Sequence, residues 1–135
     1  IENVPVRIAR PLNSNENLPA IVYFHGGAFN LGSVGKFHLI YKYIFNTIIE
    51  THNRITSTLA RSANAVVISV GKYSSDYRVI YSILFRYRLA PEHPFPAGLE
   101  DCYTVAKYVL EHGDSKKLRI DQNRVALAGD SAGMF

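Results

Sequence analysis

The sequence contains a single cysteine, Cys102, among its 135 residues. One thiol cannot close an internal disulfide, and its isolation excludes a paired redox motif and a cysteine-rich metal site. A lone cysteine in a predicted helix is most often a small buried apolar residue. No pair among the five histidines has the spacing of metal ligands. We therefore expect no metal site.

Basic blocks and long apolar runs are also missing. The net charge is +4, but the Lys and Arg residues are scattered, so no nucleic-acid partner is expected. The longest apolar stretch, within residues 35–50, is interrupted by Lys42 and is too short to span a bilayer. No signal peptide is visible at the N-terminus, and the start at Ile1 suggests a fragment. We expect a cytoplasmic protein with no membrane span.

Short apolar runs alternate with helical patterns along the chain. The composition, 47% hydrophobic and 19% charged, suffices for one core. Parallel strands covered on both faces lose polar alternation, and four runs have this character. The predicted strands cover residues 4–9, 20–24, 65–70 and 125–128, and the predicted helices cover 51–63 and 99–112. This order predicts an α/β fold, a parallel sheet with helices on both faces.

The predicted helices also have predicted inner faces. In the first, Ile55, Leu59 and Ala63 recur every four residues and are expected to face the core, whereas His52 is expected on the helix surface. In the second, Gly113 is a plausible stop, and residues 114–123 are expected to form a polar connector. Its predicted inner face comprises Leu99, Cys102, Tyr103, Ala106 and Leu110.

The last predicted strand ends on Gly129-Asp130-Ser131-Ala132-Gly133, which fits the G-x-S-x-G pattern. This pattern places a serine in a strained conformation on a sharp turn between strand and helix, and the glycines avoid clashes there. We predict that Ser131 is the nucleophile and that the Ala132 N–H binds an oxyanion. Asp130 is expected to point away from the serine and to brace the turn through hydrogen bonds.

A second glycine motif, His25-Gly26-Gly27-Ala28, follows the strand predicted at 20–24. It is close to the HGGG-type loop whose backbone N–H groups stabilise a tetrahedral intermediate. We predict that Gly26, Gly27 and Ala28 supply oxyanion donors. A strand followed by an ordinary glycine turn is the alternative.

Between these motifs lies the stretch YRLAPEHPFPAGLED at residues 87–101, in which three prolines predict a rigid loop. His93 is expected to be packed within it. Together with HGGAF and GDSAG, this stretch resembles the hormone-sensitive-lipase-like branch of the α/β-hydrolases, which includes bacterial carboxylesterases and arylacetamide deacetylase. The resemblance implies a serine carboxylesterase that acts on small-molecule esters through an acyl-serine intermediate, without a cofactor. It makes His25 a structural residue of the oxyanion loop and allows a homodimer.

In this fold the acid and the histidine of the triad follow the serine along the chain. Only four residues follow Ser131, and none is acidic or basic. We therefore expect the N-terminal part of an α/β-hydrolase, truncated after the nucleophile elbow and inactive by itself. Two alternatives stay open, a ligand-binding protein of the same fold, as in plant gibberellin receptors, and a non-functional fragment.

Two segments interrupt this single predicted domain, residues 1–135. Segments 35–50 and 71–86 each begin with Gly-Lys after a valine and are rich in Tyr, Phe and Ile. Neither has a counterpart in the pattern of the resembled family. We hypothesise that they are translated intron sequence, and genuine surface insertions are the alternative.

Overall fold

Four strands and two helices make up the described part of the chain, which is residues 1–12, 14–26, 52–71, 87–88 and 93–134 of a computed structural model. The strands are β1 (Val6–Ala9), β2 (Leu18–Phe24), β3 (Val66–Val70) and β4 (Ile120–Gly129). The helices are α1 (residues 52–63) and α2 (Ala97–His112), and a 3-10 turn, Ser131–Met134, follows β4. The predicted order of elements is confirmed. Apart from residue 71, both suspected insertions lie outside the described residues.

The four strands form one mixed sheet in the order β1-β3-β2-β4. Strand β2 runs parallel to both β3 and β4, whereas β1 is antiparallel to β3. The prediction of a parallel sheet is therefore wrong for β1. Returning the chain for a parallel strand needs a crossover of a dozen or more residues. The connection from β1 to β2 covers only residues 10–17, so β2 runs opposite to β1. Because β3 lies between them and is parallel to β2, β1 is antiparallel to β3.

Helices cover both faces of this sheet, as predicted. Side chains alternate along a strand, so β2 contributes to two cores. Val22 and Phe24 pack in the larger cluster with Val105 of α2. Tyr23 points the other way and packs with Ala60 of α1.

The inner face predicted for α2 is wrong at Leu99, Tyr103 and Leu110, whereas Cys102 is buried as predicted and Ala106 is half-buried. The buried residues are Asp101, Cys102, Val105 and Val109, whereas Leu99, Tyr103 and Leu110 are exposed. Cys102, Val105 and Val109 follow the i, i+3, i+7 spacing of one narrow stripe. This stripe of small side chains packs on the sheet, and Tyr108 packs at the side of the same cluster.

The predicted face of α1 is displaced by one position. Thr56 and Ala60 are buried, Leu59 packs at the side of the cluster, and Ile55 and Ala63 are exposed. Small residues therefore meet the sheet here too. The Thr56 hydroxyl is satisfied because it donates to the carbonyl of His52, 2.9 Å away.

Strand β4 is longer and less buried than predicted. It includes residues 120–123, which were predicted to be a connector, and its Leu127 is 61% exposed. In the sheet order β4 follows β2 and has no second neighbour among the described strands. A strand covered on both faces was predicted, and Ala126 and Leu127 contradict that prediction.

Candidate active site

The two glycine motifs meet at one edge of the sheet. Strands β2 and β4 are parallel neighbours, with Phe24 opposite Gly129. The carboxyl ends of parallel strands share an edge, where α/β proteins place their ligands. The N–H of Asp130 donates to the carbonyl oxygen of Phe24, 3.3 Å away. The loop after β2 and the turn after β4 are therefore adjacent.

Ser131 occupies a strained turn. Its φ is 50°, in the left-handed region that residues other than glycine rarely adopt. The N–H of Gly133 donates to the carbonyl of Asp130 at 2.8 Å and closes the turn. Ser131 is exposed. A strained, exposed serine directly after a strand is the geometry of a nucleophile elbow.

Gly26 touches this turn closely. A Cβ built on Gly26 would lie 2.9 Å from the Cβ of Ser131 and 2.8 Å from the carbonyl oxygen of Asp130. At Gly129, a Cβ would overlap with the carbonyl of Gly133. A side chain fits at neither position, so the two glycines let the loop and the turn approach each other.

The carboxylate of Asp130 joins these segments. Its Oδ1 accepts hydrogen bonds from the Tyr23 hydroxyl at 2.6 Å and from the Gly26 N–H at 2.9 Å. Nε2 of His52 lies 3.4 Å from each carboxylate oxygen. Partial burial acts to raise the pKa of Asp130, but the hydrogen bonds and His52 outweigh it and hold the pKa below its ordinary value. These contacts agree with the predicted bracing role.

The same contacts correct the predicted set of oxyanion donors. The N–H of Gly26 is directed at Asp130, so it is not available to an oxyanion. Gly27 and Ala28 lie outside the described residues. Ala132 is in the 3-10 turn directly after the serine.

His25 packs against aromatic neighbours. Its ring stacks on Tyr87 with centroids 5.2 Å apart and meets the ring of His52 edge-on at 5.8 Å. The Tyr87 hydroxyl donates to the carbonyl of His25 at 3.3 Å. These contacts agree with a structural role for His25 in the loop.

Two other histidines differ from expectation. His52 was predicted on a helix surface, yet its side chain is only 19% exposed and lies beside Asp130. Its position four residues before the buried Thr56 is the sequence signal that could have placed it inward. His93, predicted to be packed, is exposed.

The proline-rich stretch is anchored at its start. The backbone N–H of Arg88 donates to Oδ2 of Asp101 at 2.7 Å, and its Nε donates to Oδ1 at 2.9 Å. Asp101 is buried in α2. This fork holds Tyr87 beside His25 and so connects α2 to the loop after β2.

Two general features of the described residues can be stated. In the described ranges, no three His, Cys, Asp or Glu side chains are grouped as a metal site. Neither helix of that part of the chain has the length and apolar character needed to cross a membrane.

The family profile of the alpha/beta hydrolase fold matches residues 21–134, and the chain belongs to this family. Carboxylesterase NlhH of Mycobacterium tuberculosis is 35% identical over 133 residues, which are 98% of this chain and 32% of that protein. Human arylacetamide deacetylase-like 2 is 33% identical over 132 residues, 97% of this chain and 26% of that protein.

A solved structure is also similar. The hyperthermophilic esterase from the archaeon Pyrobaculum calidifontis is 41% identical, with a TM-score of 0.65 over 95% of this chain and 30% of that one. These relatives confirm the resemblance to the branch that contains hormone-sensitive lipase and arylacetamide deacetylase. The chain spans about a third of the length of the relatives that it matches.

Proposed function

We propose that this chain carries the nucleophile and the oxyanion loop of a carboxylic ester hydrolase. The observation that carries the proposal is the backbone of Ser131, held at a φ of 50° beside the loop that follows β2. Strain of this kind persists only where the surrounding structure imposes it, and it is typical of nucleophile elbows. Relatives named carboxylesterase and esterase support the same chemistry.

In the proposed reaction, the Ser131 hydroxyl oxygen attacks the ester carbonyl carbon as a general base removes its proton. The tetrahedral intermediate then collapses and the C–O bond to the alcohol breaks. The alcohol takes the proton from the base and departs, and the acyl group remains on the serine. Water then attacks the acyl carbon and releases the carboxylic acid. The N–H groups of Gly27, Ala28 and Ala132 stabilise the oxyanion, each contributing about 3 kcal/mol.

The general base is not supplied by residues 132–135, which contain no acidic or basic side chain. Since the triad acid and histidine follow the serine in this fold, we infer that ester turnover requires both of these groups in addition to the residues described here.

The substrate class follows from this chemistry. An acyl-serine mechanism suits small-molecule carboxylic esters, and no described residue defines a pocket for a particular acyl chain. We further infer that the intact protein is a cytoplasmic homodimer without a nucleic-acid partner. Light scattering of the purified protein and cell fractionation test the dimer and the location.

A fluorophosphonate probe tests the proposal in the natural protein, because such probes label serines activated by a base. We expect a phosphonyl adduct on the peptide that contains Ser131, and loss of both labelling and p-nitrophenyl butyrate hydrolysis in Ser131→Ala. Ser62→Ala, which changes an exposed serine of α1, is the matched control and should retain both. Turnover retained by a folded Ser131→Ala variant would overturn the proposal. A folded wild type that takes no label would favour the ligand-binding alternative.

A further inference from the structure

Asp130 contacts three separate parts of the fold through one carboxylate. Tyr23 reaches it from β2, the Gly26 N–H from the loop after β2, and His52 from α1. We propose that Tyr23 and His52 are positioning residues, which act through Asp130 to hold the oxyanion loop against the serine turn. This inference rests on the proposed function, since it assigns roles within that same site.

The loop needs such a fixed point because its neighbours are the proposed donors. Gly26 immediately precedes Gly27 and Ala28, and it lies against both Asp130 and Ser131. An oxyanion donor is effective only about 2.7–3.1 Å from the oxyanion. Misplacement by about 1 Å can cost about a hundredfold in rate. A shift of Gly26 would therefore displace the N–H groups of the next two residues, which are the proposed oxyanion donors.

Tyr23 is placed to fix Asp130 precisely. Its ring is 5% exposed and packs against Ala60 and Val67, so its position is set by the core. Buried tyrosine hydroxyls require a hydrogen-bond partner, and this one donates to Asp130 at 2.6 Å. Burial, then the hydrogen bond and the charge of Asp130, raise the pKa of the Tyr23 hydroxyl far above its ordinary value, so it stays a donor.

His52 makes a longer contact. Its Nε2 lies 3.4 Å from the carboxylate oxygens, near the upper limit for a hydrogen bond. Its ring also lies 6.4 Å from the ring of Tyr23 and 5.8 Å from that of His25. We therefore assign to His52 a weaker share of the positioning than to Tyr23.

The test compares Tyr23→Phe with Tyr103→Phe in the natural protein. The first substitution removes only the buried hydroxyl, whereas the second removes one from a side chain of α2 that is 66% exposed. Because misplaced oxyanion donors can cost up to about a hundredfold in rate, we expect kcat for p-nitrophenyl butyrate to fall about 10–100-fold in Tyr23→Phe. KM should stay within about twofold, because the lost alignment matters in the transition state. His52→Gln should lower kcat less, and Tyr103→Phe should change neither constant.

A second measurement does not depend on activity. Amide hydrogen exchange at Gly26 reports whether its N–H is held by Asp130. We expect faster exchange in Tyr23→Phe and in Asp130→Asn, which keeps the shape of the side chain, and no change in Tyr103→Phe. Should wild type lack serine-dependent hydrolysis, the proposed function fails, and the exchange data still decide whether the network holds the loop.

Two results would overturn the proposal. One is a folded Tyr23→Phe protein with wild-type kcat and wild-type protection of Gly26. The other is a lower melting temperature with kcat unchanged in both Tyr23→Phe and Asp130→Asn, which would show that the network only stabilises the fold.

Discussion

The carbonyl oxygen of Phe24 occupies the space that a Cβ on Gly133 would need. Phe24 is the last residue of β2, and Gly133 lies in the turn after β4. The final glycine of the G-x-S-x-G pattern is therefore required by contact with a neighbouring strand. This contact links the serine turn to the strand that leads into the loop at His25 and Gly26.

The first prediction concerns this contact. Gly133→Ala should destabilise the protein by about 1–3 kcal/mol, because the new methyl group meets backbone that cannot rotate away. It should also abolish fluorophosphonate labelling of Ser131, since the turn must move to make room. Urea denaturation and labelling of the natural protein check both effects, with Ser62→Ala as the neutral control. A Gly133→Ala protein with wild-type stability and labelling would contradict the packing described here.

The second prediction concerns the anchor of the proline-rich stretch. Arg88→Met leaves the buried carboxylate of Asp101 without its guanidinium partner, and we expect a loss of about 1–3 kcal/mol in the free energy of unfolding. Lys107→Met is the matched control, because its exposed pair with Glu111 spans 3.9 Å and should contribute less than about 0.5 kcal/mol. Equal losses in the two variants would show that Asp101 does not depend on Arg88.

The third prediction concerns the buried thiol. Burial, and then the charge of Asp101, raise the pKa of Cys102 to about 12. Since the thiolate is the reactive form, native Cys102 should resist iodoacetamide at pH 8 and react fully in guanidinium chloride. Mass spectrometry of the peptide containing Cys102 measures both conditions. Rapid alkylation of the native protein would contradict the packing of α2 on the sheet.

Much of the fold could be predicted because a short run of apolar residues indicates a buried strand. Residues 66–70 pack on both sides, and their β-branched sequence, interrupted only by Ser69, indicates it. The faces of the helices could not be predicted in this way. Leu99 and Tyr103 are larger than every buried side chain of α2, and the shape of the sheet surface decides which side of the helix packs on it.

The candidate site was predicted at its glycines and its serine, where local backbone geometry restricts the residue type. The side-chain network around Asp130 was not predicted. The Tyr23 hydroxyl meets a carboxylate 107 positions away, and no local pattern distinguishes this tyrosine from an ordinary core residue. His52 was likewise assigned to a surface, because its partner lies on another element.

The fourth prediction concerns the segments at 35–50 and 71–86. If they are translated intron sequence, mature transcripts should join the codon of Val34 to that of Thr51, and the codon of Val70 to one near Tyr87. Amplification across both junctions from complementary DNA measures this, with genomic DNA as the size control. Mature transcripts that contain both segments would establish them as insertions in the protein.

The last prediction concerns the pH dependence of the Asp130 network. Because the folded-state pKa of Asp130 is lowered from 3.8, the folded protein binds this proton less readily than the unfolded chain. The carboxylate therefore contributes stability that is fully present above the unfolded pKa and is lost as pH falls through the lower folded pKa.

The stability difference between wild type and Asp130→Asn should accordingly be constant above about pH 5 and shrink steadily below about pH 4. Urea denaturation of both proteins at several pH values measures this difference. The comparison subtracts the effects that every other titrating group shares, and Ser62→Ala is the control variant. The groups facing the carboxylate are the Tyr23 hydroxyl, the Gly26 N–H and His52. A difference that grew on acidification would mean that Asp130 is protonated more easily in the folded state. That sign would be incompatible with a carboxylate held by these donors.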